Sequence, residues 1–283
     1  MVAGIFLLSV MDAVAKWLVK DKLDPIQLIT VRSWFVITVL FAYYTLKKRR
    51  IEITPNRPIA QGVRGLLGFL APYCFFKSLQ TLPLADATVI FFSGIFMITA
   101  LSWPLLKEKV GLHRWSAVIV GFIGVLIAMN PRGGGQSIGY IYCLIGSLTY
   151  ALLFISGRLL SKTESVISLV FTFNLGLGIT CTLLVPLVWV PMTSSLLVVV
   201  FLFSMLALSG HICITTAFSK APVGVIAPFE FSGLIWTVLL GYLIWSEIPA
   251  NNVVVGATII VICGLYVIYR ESKLKQQNSI ELS

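Results

Sequence analysis

The sequence predicts an all-α integral membrane protein of about ten transmembrane helices, arranged as two inverted five-helix repeats. Three observations lead there. Hydrophobic residues make up 58% of the 283 and charged ones only 11%, where soluble domains carry about 25% charged residues; mean hydropathy is +0.97. The apolar residues fall in runs that approach or exceed the length needed to cross a bilayer. The chain also matches itself at a fixed offset, which makes the second half a copy of the first.

In chain order, the expected spans are residues 2–19, 26–46, 61–79, 84–106, 115–129, 138–155, 166–190, 196–218, 223–245 and 253–269. The first contains Asp12 and Lys16 and lacks a basic lead-in and a small-residue cleavage site, so it reads as a retained span and not a cleaved signal. The third is interrupted by Arg64 and Lys77. Five cysteines lie scattered inside apolar runs without a CxxC pair or metal spacing, so neither a disulfide framework nor a metal centre is expected.

The net charge of +10 raises the question of nucleic acid, and its placement answers it. In alternate loops, one side holds Lys47, Lys48, Arg49, Arg50, Arg57, Lys107, Lys109, Arg114, Arg158, Lys162, Lys220, Arg270, Lys273 and Lys275; the other holds Lys20, Lys22 and Arg132. This is the positive-inside pattern, and for an even number of spans it puts both termini in the cytoplasm. The basic excess is topology, and no nucleic-acid partner is expected. Residues 271–283 form a short polar cytoplasmic tail, expected to be disordered.

Sliding the chain by 139 residues brings Pro83 onto Pro222, Phe92-Ser93-Gly94 onto Phe231-Ser232-Gly233, and Glu108 onto Glu247. Each half reads as proline, span, Ser-Gly within the span, glutamate at its end, then one more short span. A unit of five spans is odd, so the copies cross the membrane in opposite directions. That arrangement is common in secondary transporters, which expose one site at the repeat interface alternately to each side. The expected units are 1–132 and 133–270. The Ser-Gly pairs remove bulk in mid-span, which lets helices approach closely.

The run "LPLADATVIFFSGIFMITALSWPLLKEKVGLHRWSAVIVGFIGVLIAMNPRGG" resembles the EamA module of the drug/metabolite transporter superfamily, and "APVGVIAPFEFSGLIWTVLLGYLIWSEIPANNVVVGATIIVICGLYVI" resembles its second copy. The resemblance covers nearly the whole chain and implies ten spans around a central cavity. The segments "SVMDAVAKWLV", "VRSWF" and "VRGLLGFLAPYCFF" are similar to a branch that includes carriers for riboflavin and for S-adenosylmethionine. The second copy departs from the first in having Ser246 where the first has Lys107.

A charge in mid-bilayer costs about 2.5–3.5 kcal/mol on insertion scales, so intramembrane charges mark candidate sites. Asp12 and Lys16, four apart, share a helix face with Ser9 and either close on each other as an ion pair or face a solute. Arg32 is placed to pair with Asp12 or to ligate an anionic group. Arg64 is expected to snorkel at the cytoplasmic start of its span. Tyr73 and Lys77 face one way in the outer part of the same span, with snorkelling as the alternative for the lysine. His211 recurs at helical spacing with Ser204 and Thr215, as an interhelical hydrogen-bond partner or a site residue. Glu230, inside "VIAPFEFSGLIW", has no helix end to explain it; it is a buried partner for Arg32 or Lys77, or a cavity-lining substrate or proton site. Phe92, Ser93 and Tyr150 complete the candidate set, since aromatic rings around a cavity suit a planar heterocycle.

The expected function is secondary transport of a small organic metabolite across the inner membrane, leaning to uptake of a riboflavin-like or S-adenosylmethionine-like compound. An exporter of amino acids or drugs is the alternative within the class. Coupling to protons or exchange is open, and no cofactor is expected. A membrane-embedded enzyme would need a catalytic constellation, yet the two histidines lie in different halves. GxxxxGK[ST] is absent, which disfavours ATP-driven transport, and the inverted repeat disfavours a channel.

Overall fold

The computed structural model describes residues 1–47, 54–107, 111–130, 137–161, 163–220 and 227–281. Lys48, Arg49, Arg50, Glu108, Lys109, Arg132, Lys162 and Pro222, which the sequence reading used, lie outside them. The described elements are α1 (Val2–Asp21), α2 (Pro25–Leu46), α3 (Pro58–Gly68), α4 (Leu70–Ser78), α5 (Leu84–Phe91), α6 (Ser93–Leu106), α7 (Leu112–Met129), α8 (Ser137–Leu160), α9 (Val166–Leu184), α10 (Ser194–Lys220), α11 (Ser232–Trp245) and α12 (Asn251–Glu281). A 3₁₀ turn over Ala227–Phe231 precedes α11. Among the described residues, nine helical segments of 18 residues or more are apolar enough to cross a membrane, joined by the shorter Phe229–Trp245. Two spans are thus built from two helices each: α3 with α4, and α5 with α6.

Local chemistry sets the helix ends. Asp24 caps α2 by accepting from the Ile26 N–H at 2.8 Å, with Pro25 in the first turn. Ser165 caps α9 through the Ser168 N–H at 3.0 Å. Pro83 occupies the N-cap position of α5 with an extended backbone, and Asp86 falls in the first turn, where the helix dipole favours a carboxylate. The break between α3 and α4 falls three residues before Pro72, which cannot donate to Gly68. Mid-span hydroxyls bond carbonyls on their own helices, as Thr30, Thr99, Ser102 and Ser204 do one turn back; such bonds satisfy them where water is absent. Beyond Arg270 the helix of α12 continues to Glu281, in place of the expected disorder. Glu, Lys, Leu and Gln are good helix formers, and adding them to an existing helix avoids the nucleation cost.

The repeat is visible in the backbone. α6 and α11 have the same 14 residues of length at an offset of 139, and α7 and α12 begin at the same offset. Lys107 and Ser246, again 139 apart, both end their helices in the left-handed conformation with φ of 56°. Packing follows the same exchange: α1 lies on α10 as α8 lies on α4, α1 lies on α11 as α8 lies on α6, and the equivalent helices α7 and α12, and α2 and α9, pack on each other across the two-fold relation. The chain is thus two inverted five-span units closed against one another.

Lipid offers no hydrophobic drive for helix association, so close packing at small residues carries it. A Cβ at Gly176 would fall 2.5 Å from the Gly65 Cα, where α9 crosses α3, and one at Gly256 would fall 2.5 Å from the Gly124 carbonyl oxygen, where α12 crosses α7. Gly94 and Gly233 sit at the repeat interface with more room: their Cβ positions lie 3.4 Å from Ser147 on α8 and 3.3 Å from Ile5 on α1.

At the end of the bundle carrying the chain termini, Glu164 is buried between α8 and α9. It accepts the backbone N–H groups of Asn56 and Arg57 at 3.0 and 2.5 Å, and the Ser168 hydroxyl at 3.4 Å. Gln61, Ser168 and Thr172 extend this polar seam between α3 and α9. Desolvation pushes the Glu164 carboxyl up, but its hydrogen-bond donors outweigh this and hold it below the usual carboxylate range.

Two outcomes follow from this packing. Gly176→Leu should lower the thermal midpoint of the detergent-solubilised protein, by an overpacking cost of about 1–3 kcal/mol, while Gly62→Ala, with nothing within 4 Å of its Cβ, should not; equal midpoints for the two would remove the crossing from the account. Because the folded-state value of Glu164 lies below its unfolded one, its contribution is fully present above the unfolded value and is lost as pH falls through the folded one. Glu164→Gln should therefore destabilise the protein at neutral pH and converge on wild type below about pH 4, as read by thermal unfolding across pH.

Candidate functional site

The structure separates the sequence candidates into two groups. One lies midway along the bundle. Asp12 on α1 and Arg32 on α2 interact electrostatically, and Arg32 also acts on His211 of α10. Arg32 is 7% exposed, and neither its Nε–H nor the neighbouring Ser33 hydroxyl has a hydrogen-bond partner among the described residues. Glu230, in the 3₁₀ turn before α11, interacts with Tyr150 of α8. Among the described residues no cation bonds Glu230, so it pairs with neither Arg32 nor Lys77 as one reading of the sequence had it.

Asp12, Tyr150, His211 and Glu230 keep solvent-accessible surface, 40% for Tyr150. Aromatic rings lie beside them. Phe92 meets its repeat mate Phe231 at 5.3 Å between centroids, and Phe91 bridges Tyr150 at 5.5 Å and Phe75 at 4.8 Å. Ser93 is fully buried, and its hydroxyl and that of its repeat mate Ser232 are both without partners among the described residues. The break between α5 and α6 at Phe92 and the 3₁₀ turn ending at Phe231 deliver these residues, so interrupted helices place the polar atoms here.

The second group closes the end of the bundle that carries the α1–α2 connection. Lys16 is 2% exposed. It does not pair with Asp12: its ammonium is bonded to Glu247, on the connection between α11 and α12, and lies 4.8 Å from the Trp245 ring centroid. One turn along a helix put Asp12 in reach, but the buried lysine meets a carboxylate from the other half. The second oxygen of Glu247 accepts the Leu84 N–H at 3.0 Å. Lys77 approaches Asp24 at 3.8 Å, and Tyr73 stacks on Phe69. Gln27 exchanges two hydrogen bonds with the Val190 backbone, at 2.8 and 3.1 Å. Arg64, expected to snorkel, instead donates to the Leu169 carbonyl at 3.3 Å and lies over Phe173.

Sequence reasoning missed Glu247, Asp86, Asp24 and Gln27 as members of this cluster. Glu247 was visible as the glutamate closing its span in both repeats, and Asp86 as a first-turn acid. Their shared partner Lys16 comes from a helix more than 200 residues away from Glu247 in sequence, which no local pattern shows.

The EamA-like transporter family matches residues 1–130. Over 95% of this chain and 93% of the relative, the sequence is 27% identical to an S-adenosylmethionine uptake transporter of Rickettsia conorii. A pseudopaline exporter, CntI, of Pseudomonas aeruginosa is 26% identical over 91% of this chain and 90% of that protein. A crystal structure that is 16% identical in sequence superposes with a TM-score of 0.58, covering 96% of this chain and 99% of the other, and so shares the fold. Residues 1–130 are thus similar to the EamA-like transporter family, and the long apolar helices among the described residues are those of a multi-pass membrane protein.

Proposed function

We propose that the protein takes up a positively charged, planar heterocyclic metabolite of the S-adenosylmethionine kind, by alternating access between residues 1–132 and 133–270, in an inner membrane with both termini and the 271–283 tail cytoplasmic. The observation that carries the reading is Glu230. A partly buried carboxylate in the turn that opens a membrane-spanning helix, bonded to no cation among the described residues, is costly to keep without a counter-charge. A cationic solute compensates it, and the neighbouring rings of Tyr150, Phe92 and Phe231 offer faces for stacking and for a cation. A neutral flavin would leave Glu230 without a counter-charge, which favours the sulfonium compound over riboflavin.

The opposite-charge set of Asp12 and Arg32 suits the other end of such a solute. An α-amino acid group presents an ammonium and a carboxylate together, and Arg32 has an unused buried N–H to offer the carboxylate. The likeness to the uptake carrier of Rickettsia supports the direction. The likeness to CntI supports export as a second reading, with the same residues in the same roles.

Reconstituted into proteoliposomes, the protein should accumulate labelled S-adenosylmethionine faster when unlabelled compound is present on the other side, and riboflavin should compete poorly. Absence of both uptake and exchange would overturn the substrate assignment. Glu230→Gln should weaken binding by one charged hydrogen bond, about 1.5–3 kcal/mol, or about 10- to 150-fold in Kd. Unchanged affinity across pH would take Glu230 out of the site.

Orientation is tested separately. On a cysteine-free background, an impermeant maleimide applied outside intact cells should label Leu187→Cys, 81% exposed, and spare Leu112→Cys, 85% exposed at the opposite end of the bundle. The reverse pattern would invert the topology.

A further inference from the structure

Lys16, Glu247 and Asp86 form a group of three charges where a closed ion pair needs two. Glu247 is fully committed: one carboxylate oxygen is on Lys16 and the other is on the Leu84 N–H. Asp86, two residues into α5, is 8% exposed, and its Oδ1 has no hydrogen-bond partner among the described residues. It lies within electrostatic range of both Lys16 and Glu247. The other titratable groups facing it are Tyr140 and Cys143 of α8, and Lys20 of α1 faces Lys16 from one turn away. Two adjacent buried carboxylates sharing one ammonium are unfavourable as two anions. The arrangement is balanced when Asp86 holds a proton.

The three residues are divided between the halves. Lys16 and Asp86 belong to the first unit, and Glu247 to the second. If the halves part at this end, Glu247 leaves with its unit and meets water, while Lys16 would be stranded as a buried ammonium. Asp86, on the same side of the parting, is the carboxylate within range to receive it.

We propose that Asp86 is a proton-binding site that gates this end of the carrier, occupied while Lys16 is clasped to Glu247 and emptied when Lys16 passes to Asp86. On opening, the Lys16–Glu247 contact breaks, the Asp86 O–H bond releases its proton to incoming water, and the carboxylate so formed takes the ammonium. Lys16 keeps its own protons throughout. One proton leaves on opening and one returns on closing, through the same face, so the proton controls the gate without being carried across. Acid at this face holds the clasp shut, and its removal favours opening. The device does not depend on the identity of the solute, and it is read in the protein without one.

The test uses the full chain in lipid nanodiscs, with native cysteines replaced and spin labels at Asp21→Cys and Asn251→Cys, both exposed positions flanking the clasp on opposite halves. Between about pH 5 and about pH 9, the wild-type distance distribution should move from a short to a longer separation. Asp86→Asn, which imitates the protonated form, should stay short at every pH. Glu247→Gln, which removes the competing carboxylate, should give the longer separation even at neutral pH. A wild-type distance that ignores pH, a pH response that survives Asp86→Asn, or a short distance in Glu247→Gln in monodisperse protein would each overturn the proposal.

Discussion

A charge inside a bilayer must meet a counter-charge or water, and that requirement organises this protein. Its intramembrane charges have been resolved in two ways. At one end of the bundle, Lys16 and Glu247 satisfy each other across the junction of the two halves, and the junction is thereby held shut. Elsewhere, Glu230 is kept partly accessible and Arg32 incompletely bonded among the described residues, and on the reading proposed above the same requirement is met by a solute. The glycine crossings supply the complementary constraint. They bring backbones together where lipid gives no drive for association.

Much of the fold could be read from the residues. The apolar runs located the spans because hydrophobic length is a direct consequence of bilayer thickness. The match of Phe92-Ser93-Gly94 to Phe231-Ser232-Gly233 pointed to equivalent spans, and α6 and α11 are of equal length at that offset, although their starts at the Ser-Gly pairs were not foreseen. The breaks within two spans were less legible. Pro72 announces the one between α3 and α4, whereas no proline lies in α5 to announce the one at Phe92, and only the small Ser-Gly pair hints at it. The helical tail beyond Arg270 was hidden because polar composition alone does not separate a disordered tail from the extension of an existing helix.

The site was legible by kind and less so by partner. Asp12, Arg32, His211 and Glu230 stood out because charge and imidazole are expensive in lipid, and the structure does bring the first three into electrostatic contact. Lys16 stood out equally, yet its partner could not be inferred. A helix repeat predicts neighbours three or four residues away, while a buried lysine selects among all carboxylates that the fold delivers, and here the fold delivers Glu247.

The inverted repeat implies that either half can adopt the shape of the other, so each end of the carrier has an image at the opposite face. The charges do not obey that symmetry. At the offset of 139 that relates α6 to α11, Asp86 falls on Val225 in the sequence. The clasp of Lys16 and Glu247 is polar, and the sequence repeat does not carry Asp86 over to the second half. A repeated backbone that carries an unrepeated set of charges has a built-in polarity, although the backbone by itself has no preferred direction.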